Sequence, residues 1–400
     1  MTIRERLYLD DPLRLSFDAT VVAHASYQGR AAVVLDRTAF YPEAGGQLAD
    51  QGSIDGRPVV DVQLDPEDRI VHLLDGDLPA LPAVGAMVHG QVDPPRRRLH
   101  MALHTGQHIL SRALLDVAGA HTVSSRLGAT ACTIDVRPGS VGPGERDRVE
   151  QLANEVIDED LPVRCSFPTA EQLGTLPLRK PPKVHDDVRV VGIGDFDFVP
   201  CGGTHCVSTS QVGLVSITGI ERYKKGQRIT FVAGARARVE LGRDARVLRE
   251  LSRSMSCSTG ELSAALAKQR RELTQTREGA ARVERKLAAY LAEELAADRD
   301  EHGRVIAVVD VASLTLLRAV AFRIVERAAA VALLASAADD GLHVVVARHE
   351  AASFDCGSFL KRAAAACGGR GGGREDHGEG RLPAHVDWLA LARDLASPAT

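Results

Sequence analysis

From residue 17 to about residue 92, short β-prone runs such as 20–23 and 31–35 alternate with Gly, Asp and Pro clusters. This pattern predicts a β-rich, barrel-like domain over residues 1–92. Pro94 and Pro95 then punctuate the chain, and Leu99, Leu103, Leu110 and Leu114 recur at helical spacing over 96–118. A strand at 131–136 follows, then a helix over 143–160 with Val149, Leu152 and Val156 on one face. Strands near Val163 and Val188 come next, and a hairpin folds around Tyr223-Lys224-Lys225-Gly226. Such interleaving predicts an α+β domain over 93–235.

Residues 236–302 lack proline and place Val247, Leu251, Leu262, Leu266, Leu273, Val283, Leu287 and Leu295 at helical intervals. Ser258 and Glu261 have capping-box spacing at a break over 257–261, so the segment reads as an antiparallel helical hairpin. The remainder, 303–400, alternates β-prone and helical runs and predicts a small α/β domain with a Gly-rich loop over 368–374. That loop lacks the Gly-Lys-Ser/Thr of a nucleotide-binding P-loop. The whole is α+β in class.

The 400 residues carry a formal net charge of -4, so the molecule as a whole does not attract nucleic acid, and an RNA partner needs a local basic surface. Aromatic residues make up 4% of the chain, which argues against recognition through many base-stacking platforms. Neither a long apolar run nor a signal-like N-terminus is present, and a cytoplasmic location is expected. Seven cysteines without framework spacing point in that compartment to buried thiols or metal ligands.

One constellation changes the picture. His104 and His108 stand four apart on the predicted helix and therefore share a face. Cys201 and His205 form a second pair, with Gly202 and Gly203 between them to let a loop wrap an ion. Three imidazoles and a thiolate are a zinc donor set. Four protein ligands close a tetrahedral site, whereas catalysis requires a displaced ligand or an expanded coordination shell. A turn, Phe40-Tyr41-Pro42-Glu43-Ala44-Gly45-Gly46-Gln47, permits close backbone approach. Arg96, Arg97 and Arg98, then Arg179, Lys180 and Lys183, then Arg222, Lys224, Lys225 and Arg228 are basic clusters suited to phosphates.

The glycine turn with Asp50 and Gly52, the His104/His108 pair, and Cys201-Gly202-Gly203-Thr204-His205 with Gly213 closely resemble the editing domain of alanyl-tRNA synthetase and its free-standing relatives, the AlaX-type editing proteins. The resemblance covers residues 15–235, and the Gly-rich tail is similar to the C-terminal domain of longer members, which favours the long AlaX form. It implies that His104, His108, Cys201 and His205 hold one Zn2+ per chain and that the partner is alanine tRNA mischarged with Ser or Gly. No segment resembles the class II aminoacylation domain, so hydrolysis in trans is expected. The chemistry is needed because an alanine pocket rejects glycine, or a serine with one added hydroxyl, only weakly.

Within this frame Thr105, Gln47 and Asp135 are the candidate catalytic or ligand-orienting residues, and Gly45, Gly46 and Arg126 line the substrate site. Arg126 stands where the family often has histidine, a departure that bears on amino-acid preference. Arg96, Arg97, Arg98, Lys224 and Lys225 are expected to contact tRNA, and the helical hairpin with the C-terminal domain to support a homodimer. Two other readings are a tRNA-binding protein with a structural zinc and a zinc hydrolase of small esters or amides. A DHH-type phosphoesterase is disfavoured because no Asp-His-His triplet occurs.

Overall fold

The computed structural model describes residues 6–75, 81–138, 141–182, 187–311, 313–327 and 329–396. They form two units, Met1–Glu250 and Leu251–Thr400. The first unit begins with β1 (Ser16–Tyr27), β2 (Arg30–Leu35), β3 (Gly52–Ile54), β4 (Arg57–Leu64), β5 (Ile70–Leu74) and β6 (Met87–Val92). These pair antiparallel in the order β1-β2-β5-β4-β3-β6, and β6 returns to β1, closing a barrel. Strict alternation of exposed and buried positions in β6 is the period-two signature of a strand with one wet face. Phe17, Val21, Leu35, Phe40, Ile54 and Ile70 fill the interior.

His72 is buried in this barrel, with Nδ1 3.2 Å from the Val33 carbonyl and Nε2 2.8 Å from Thr38 Oγ1. A neutral ring that donates from Nδ1 and accepts at Nε2 satisfies both contacts. Burial pushes its pKa from 6.5 down to about 4, so the unfolded chain takes up the proton first on acidification. The stabilisation is present above pH 6.5 and is lost as pH falls from 6.5 towards 4. We expect His72→Gln to flatten the stability-pH curve in that window by about 3 kcal/mol, measured by urea unfolding at several pH values.

After the barrel comes α1 (Pro94–Ala118), capped by Asp93 and opened by two prolines whose missing N–H groups cost nothing in a first turn. Gly119 ends it in the left-handed conformation. Residues from His100 to Ser111 are buried all round, so α1 is the central helix of this unit. Around it lie β7 (His121–Leu127), β8 (Cys132–Arg137), α2 (Pro143–Asp158), β9 (Val163–Ser166), α3 (Ala170–Thr175), β10 (Val190–Ile193), β11 (Asp197–Pro200), β12 (Val215–Tyr223) and β13 (Gly226–Ala233). One sheet has the order β12-β13-β8-β7 and another β11-β10-β9.

The predicted 236–302 segment contains α4 (Gly234–Ser254) and α5 (Leu262–Ala297). Ser258 donates from both its backbone N–H and Oγ to the Glu261 carboxylate at the break. The boundary between the two units falls inside α4, between Glu250 and Leu251, rather than at residue 236. The segment is therefore divided between the units, because α5 sinks Ala288 and Ala292 into the C-terminal core.

That unit continues with β14 (Arg304–Val308), α6 (Leu314–Arg327), β15 (Val331–Ala338), β16 (Gly341–Arg348), α7 (Cys356–Cys367), β17 (Arg370–Gly373), β18 (His377–Leu382) and α8 (Trp388–Ala396). Only β14 and β15 are parallel in a sheet that is otherwise antiparallel, so one crossover helix suffices. The glycines expected to form a loop instead form β17. A Cβ on Gly371 would lie 2.8 Å from Leu360, and one on Gly373 2.3 Å from the His377 carbonyl, so glycine permits a strand too close to its neighbours for side chains.

Candidate metal centre

The four predicted ligands converge. His104 and His108 project from α1, while Cys201 and His205 lie on the loop that leaves β11. Their ligand atoms all lie within 4.8 Å of one another. Cys201 Sγ is 3.4 Å from Nε2 of both His104 and His205. The three imidazoles are buried and Cys201 partly so. His108 Nδ1 is buried without a hydrogen-bond partner among the described residues, leaving a nitrogen available to an ion.

Electrostatics suit a cation as well. Burial, reinforced by nearby cationic groups, pushes His104 down to about 3 and His108 well below its ordinary value. Burial likewise brings His205 to about 4. The rings are thus neutral and keep their lone pairs at neutral pH. For Cys201, burial raises the thiol, but the hydrogen bonds from the His205 ring and the Gly203 N–H, with the Arg189 charge, outweigh it and lower the pKa. Neutral imidazoles beside a thiol biased to thiolate fit zinc.

A second ring of residues orients the first. Gln47 Oε1 accepts from His104 Nδ1 at 2.7 Å and from the Thr204 N–H, while Gln47 Nε2 donates to Thr204 Oγ1 at 2.8 Å. This fixes the tautomer that turns His104 Nε2 towards Cys201. Thr105 Oγ1 accepts from the Cys206 N–H at 3.0 Å and lies 3.2 Å from His205 Nδ1. Gln47 and Thr105 therefore hold the orientation of these donor side chains. We expect Gln47→Ala to weaken metal affinity about 10–100-fold while the protein stays folded, read by chelator competition.

The glycine turn is explained by the same packing. Ala44 and Gln47 exchange two backbone hydrogen bonds around Gly45 and Gly46, both at positive φ. A Cβ on Gly46 would lie 2.5 Å from the Ser125 carbonyl, and the Leu127 N–H donates to the Gly46 carbonyl. Gly46 thus admits β7, not a ligand, to close approach, and delivers Gln47 to His104. Around Gly45 a Cβ would meet nothing within 4 Å. At Gly203 it would lie 2.1 Å from His104 Cε1, so this glycine lets the loop lie against the imidazole.

Other expectations need correction. Asp135 does not orient a ligand histidine: its carboxylate accepts from Arg228 Nε at 2.7 Å, from the Arg228 terminal nitrogen and from Ser124 Oγ. Arg97 is buried and gripped by Asp50, with further bonds to the Pro12 and Ala39 carbonyls, so it offers nothing to phosphate. Arg96 is half-buried and donates to the Ala49 carbonyl, whereas Arg98 and Arg126 are exposed. Arg179 is likewise buried against Asp197, and Lys183 lies outside the described residues. Lys224 and Lys225 are exposed at the β12–β13 turn.

Sequence reasoning missed Arg189. Its guanidinium is buried, and one terminal nitrogen donates to the carbonyls of both Cys201 and Gly203 at 2.9 Å. It clamps the ligand loop from behind. An isolated arginine beside a valine-rich strand carries no motif.

Comparisons with known proteins agree with this geometry. A family described as "Threonyl and Alanyl tRNA synthetase second additional domain" matches residues 188–230, the stretch that bears Cys201 and His205. The alanyl-tRNA editing protein AlaX-L of Pyrococcus horikoshii is 37% identical over 243 residues, covering 58% of this chain and 59% of that protein. The chain is similar to the AlaX-type editing proteins. Their relatives include the alanine-tRNA ligase of Pyrococcus furiosus, 30% identical across 94% of this chain and 42% of that enzyme. The ligase of Archaeoglobus fulgidus is 31% identical across 96% and 42% respectively. The chain thus spans less than two thirds of each of these relatives. A family described as "tRNA synthetases class II (A)" matches residues 13–96. The match falls on the barrel and the first residues of α1. No helix of the described residues is long and apolar enough to cross a membrane.

Proposed function

We propose that the chain hydrolyses the ester between a wrong amino acid, serine or glycine, and alanine tRNA, acting in trans with one zinc ion per chain. The observation that carries this reading is the convergence of three buried, neutral imidazoles and one cysteine thiol in a chain similar to an AlaX-type editing protein. A zinc ion bound there supplies a Lewis acid for the ester carbonyl or for water. The protein's own residues do the rest. Gln47, Thr105 and Arg189 hold the donors in fixed orientation. Arg98 and Arg126 are solvent-facing cations for the terminal phosphates. Dimerisation through the long helices belongs to the same proposal and is supported by the exposed Leu266, Leu273, Val283 and Tyr290 on α5.

The test is deacylation of Ser-, Gly- and Ala-charged alanine tRNA by the full chain. Rapid loss of Ser or Gly with Ala spared is the expected result; equal loss of all three removes the editing reading. A second reading, a structural zinc in a tRNA-binding protein, is favoured by the fact that all four donors come from the chain. It predicts tRNA binding with every ester left intact.

A further inference from the structure

At the β12–β13 turn the chain forms a concave pocket of about 460 Å³, lined by Arg222, Lys224, Lys225, Gln227 and the backbone of 141–142. We propose that this pocket binds backbone phosphates of the tRNA at a distance from the ester, as an affinity anchor separate from the metal centre. The inference rests on the tRNA reading above and adds a second site to it.

Three cations share this one concavity, and among the described residues no carboxylate lines it. The nearby Glu145 carboxylate accepts from the Gly142 N–H, which neutralises the start of α2 and leaves the side-chain cations as the attracting charge. The walls are held in place. Gln227 accepts from the Val141 N–H at 2.7 Å and donates back to the Val141 carbonyl, tying the loop to the hairpin. The hairpin tip is braced in turn, because Tyr223 packs under the Arg228 guanidinium at 3.6 Å and lies 5.0 Å from Lys224 Nζ. Arg228 is itself doubly bonded to Asp135. Asp135, whose predicted role was at the ligands, instead stiffens this hairpin.

Position determines which phosphates it can reach. The far end of β13 touches the metal helix, where a Cβ on Gly106 would lie 3.1 Å from Ala233. Seven residue-to-residue steps of strand run from Gly226 to Ala233, roughly 23 Å at about 3.3 Å per residue. An ester seated at the ligands is therefore several nucleotides from the pocket, and the cations serve binding rather than chemistry. A basic pocket without aromatic platforms reads charge, not sequence.

The experiment uses the full, metal-loaded chain and compares wild type with the triple variant Arg222→Gln, Lys224→Gln, Lys225→Gln. Uncharged alanine tRNA is titrated at several salt concentrations. The control removes three exposed arginines of the barrel, Arg14, Arg37 and Arg57, to glutamine. The proposal predicts a roughly tenfold or greater rise in Kd for the triple variant, and a log-log salt slope shallower by about 2–3. Zinc content stays unchanged. An unaltered slope, or the same change in the barrel control, overturns it. Deacylation by wild type with no pocket effect rejects the anchor and keeps the editing reading; pocket-dependent tRNA binding without deacylation rejects editing and keeps the anchor. A triple variant whose circular dichroism departs from wild type is replaced by Lys225→Gln alone, with an expected slope change of about 1 and an unchanged slope again overturning the proposal.

Discussion

Cys201→Ser is expected to lose zinc and ester hydrolysis together. Cys201 is the one sulfur donor, it lies 3.4 Å from two of the three imidazoles, and its thiol is biased towards thiolate. Serine keeps the shape but not an ionised donor at neutral pH. The affinity loss should exceed the ~10–100-fold typical of outer partners such as Gln47, because a ligand itself is removed. The loop should keep its course, since Arg189 still holds the Cys201 and Gly203 carbonyls and Thr105 still accepts the Cys206 N–H. Zinc stoichiometry after dialysis, with circular dichroism alongside, checks both halves. Stoichiometric zinc in the variant would remove Cys201 from the ligand set.

Asp50→Ala should destabilise the first unit by about 3–5 kcal/mol, because it leaves a fully buried guanidinium without its counter-charge. Asp50 and Arg97 are essentially inaccessible, with a 2.5 Å contact between them. Asp50 also accepts from the Tyr41 N–H at 2.7 Å, so the pair ties the start of α1 to the residues that lead into the glycine turn. Removing both charges tests the cause. Asp50→Ala with Arg97→Met should recover most of the loss, since an apolar replacement of a buried pair costs far less than one stranded charge. Urea unfolding with an unchanged m-value gives the number. A loss below about 1 kcal/mol would show that water or another group already satisfies Arg97.

The donor cluster was legible because zinc chemistry favours particular side chains, and their spacing on a helix and a glycine loop is visible in one dimension. His104 and His108 on one face, and Cys201 and His205 around two glycines, needed no structure to be seen. Parts of the first unit, such as α1, β8, α2 and the β12–β13 hairpin, were legible for a similar reason, since burial on one face imposes a period, whereas β7, α3 and β11 were not predicted. Roles that depend on partners distant in sequence were not. Arg97 reads as a phosphate contact until Asp50, 47 residues away, is seen to face it. Asp135 reads as a ligand partner until β13 brings Arg228 beside it. β17 was hidden because glycine's low strand propensity was overridden by the close packing that only glycine allows. The unit boundary inside α4 was hidden too, because helical periodicity continues across it.

The measurement that tests the central claim most directly follows zinc content and Ser-tRNA deacylation in one sample of the full chain through chelation and zinc readdition. The account predicts one zinc per chain, with metal and hydrolysis lost together and restored together. Hydrolysis that persists at full rate after the zinc has gone would contradict it.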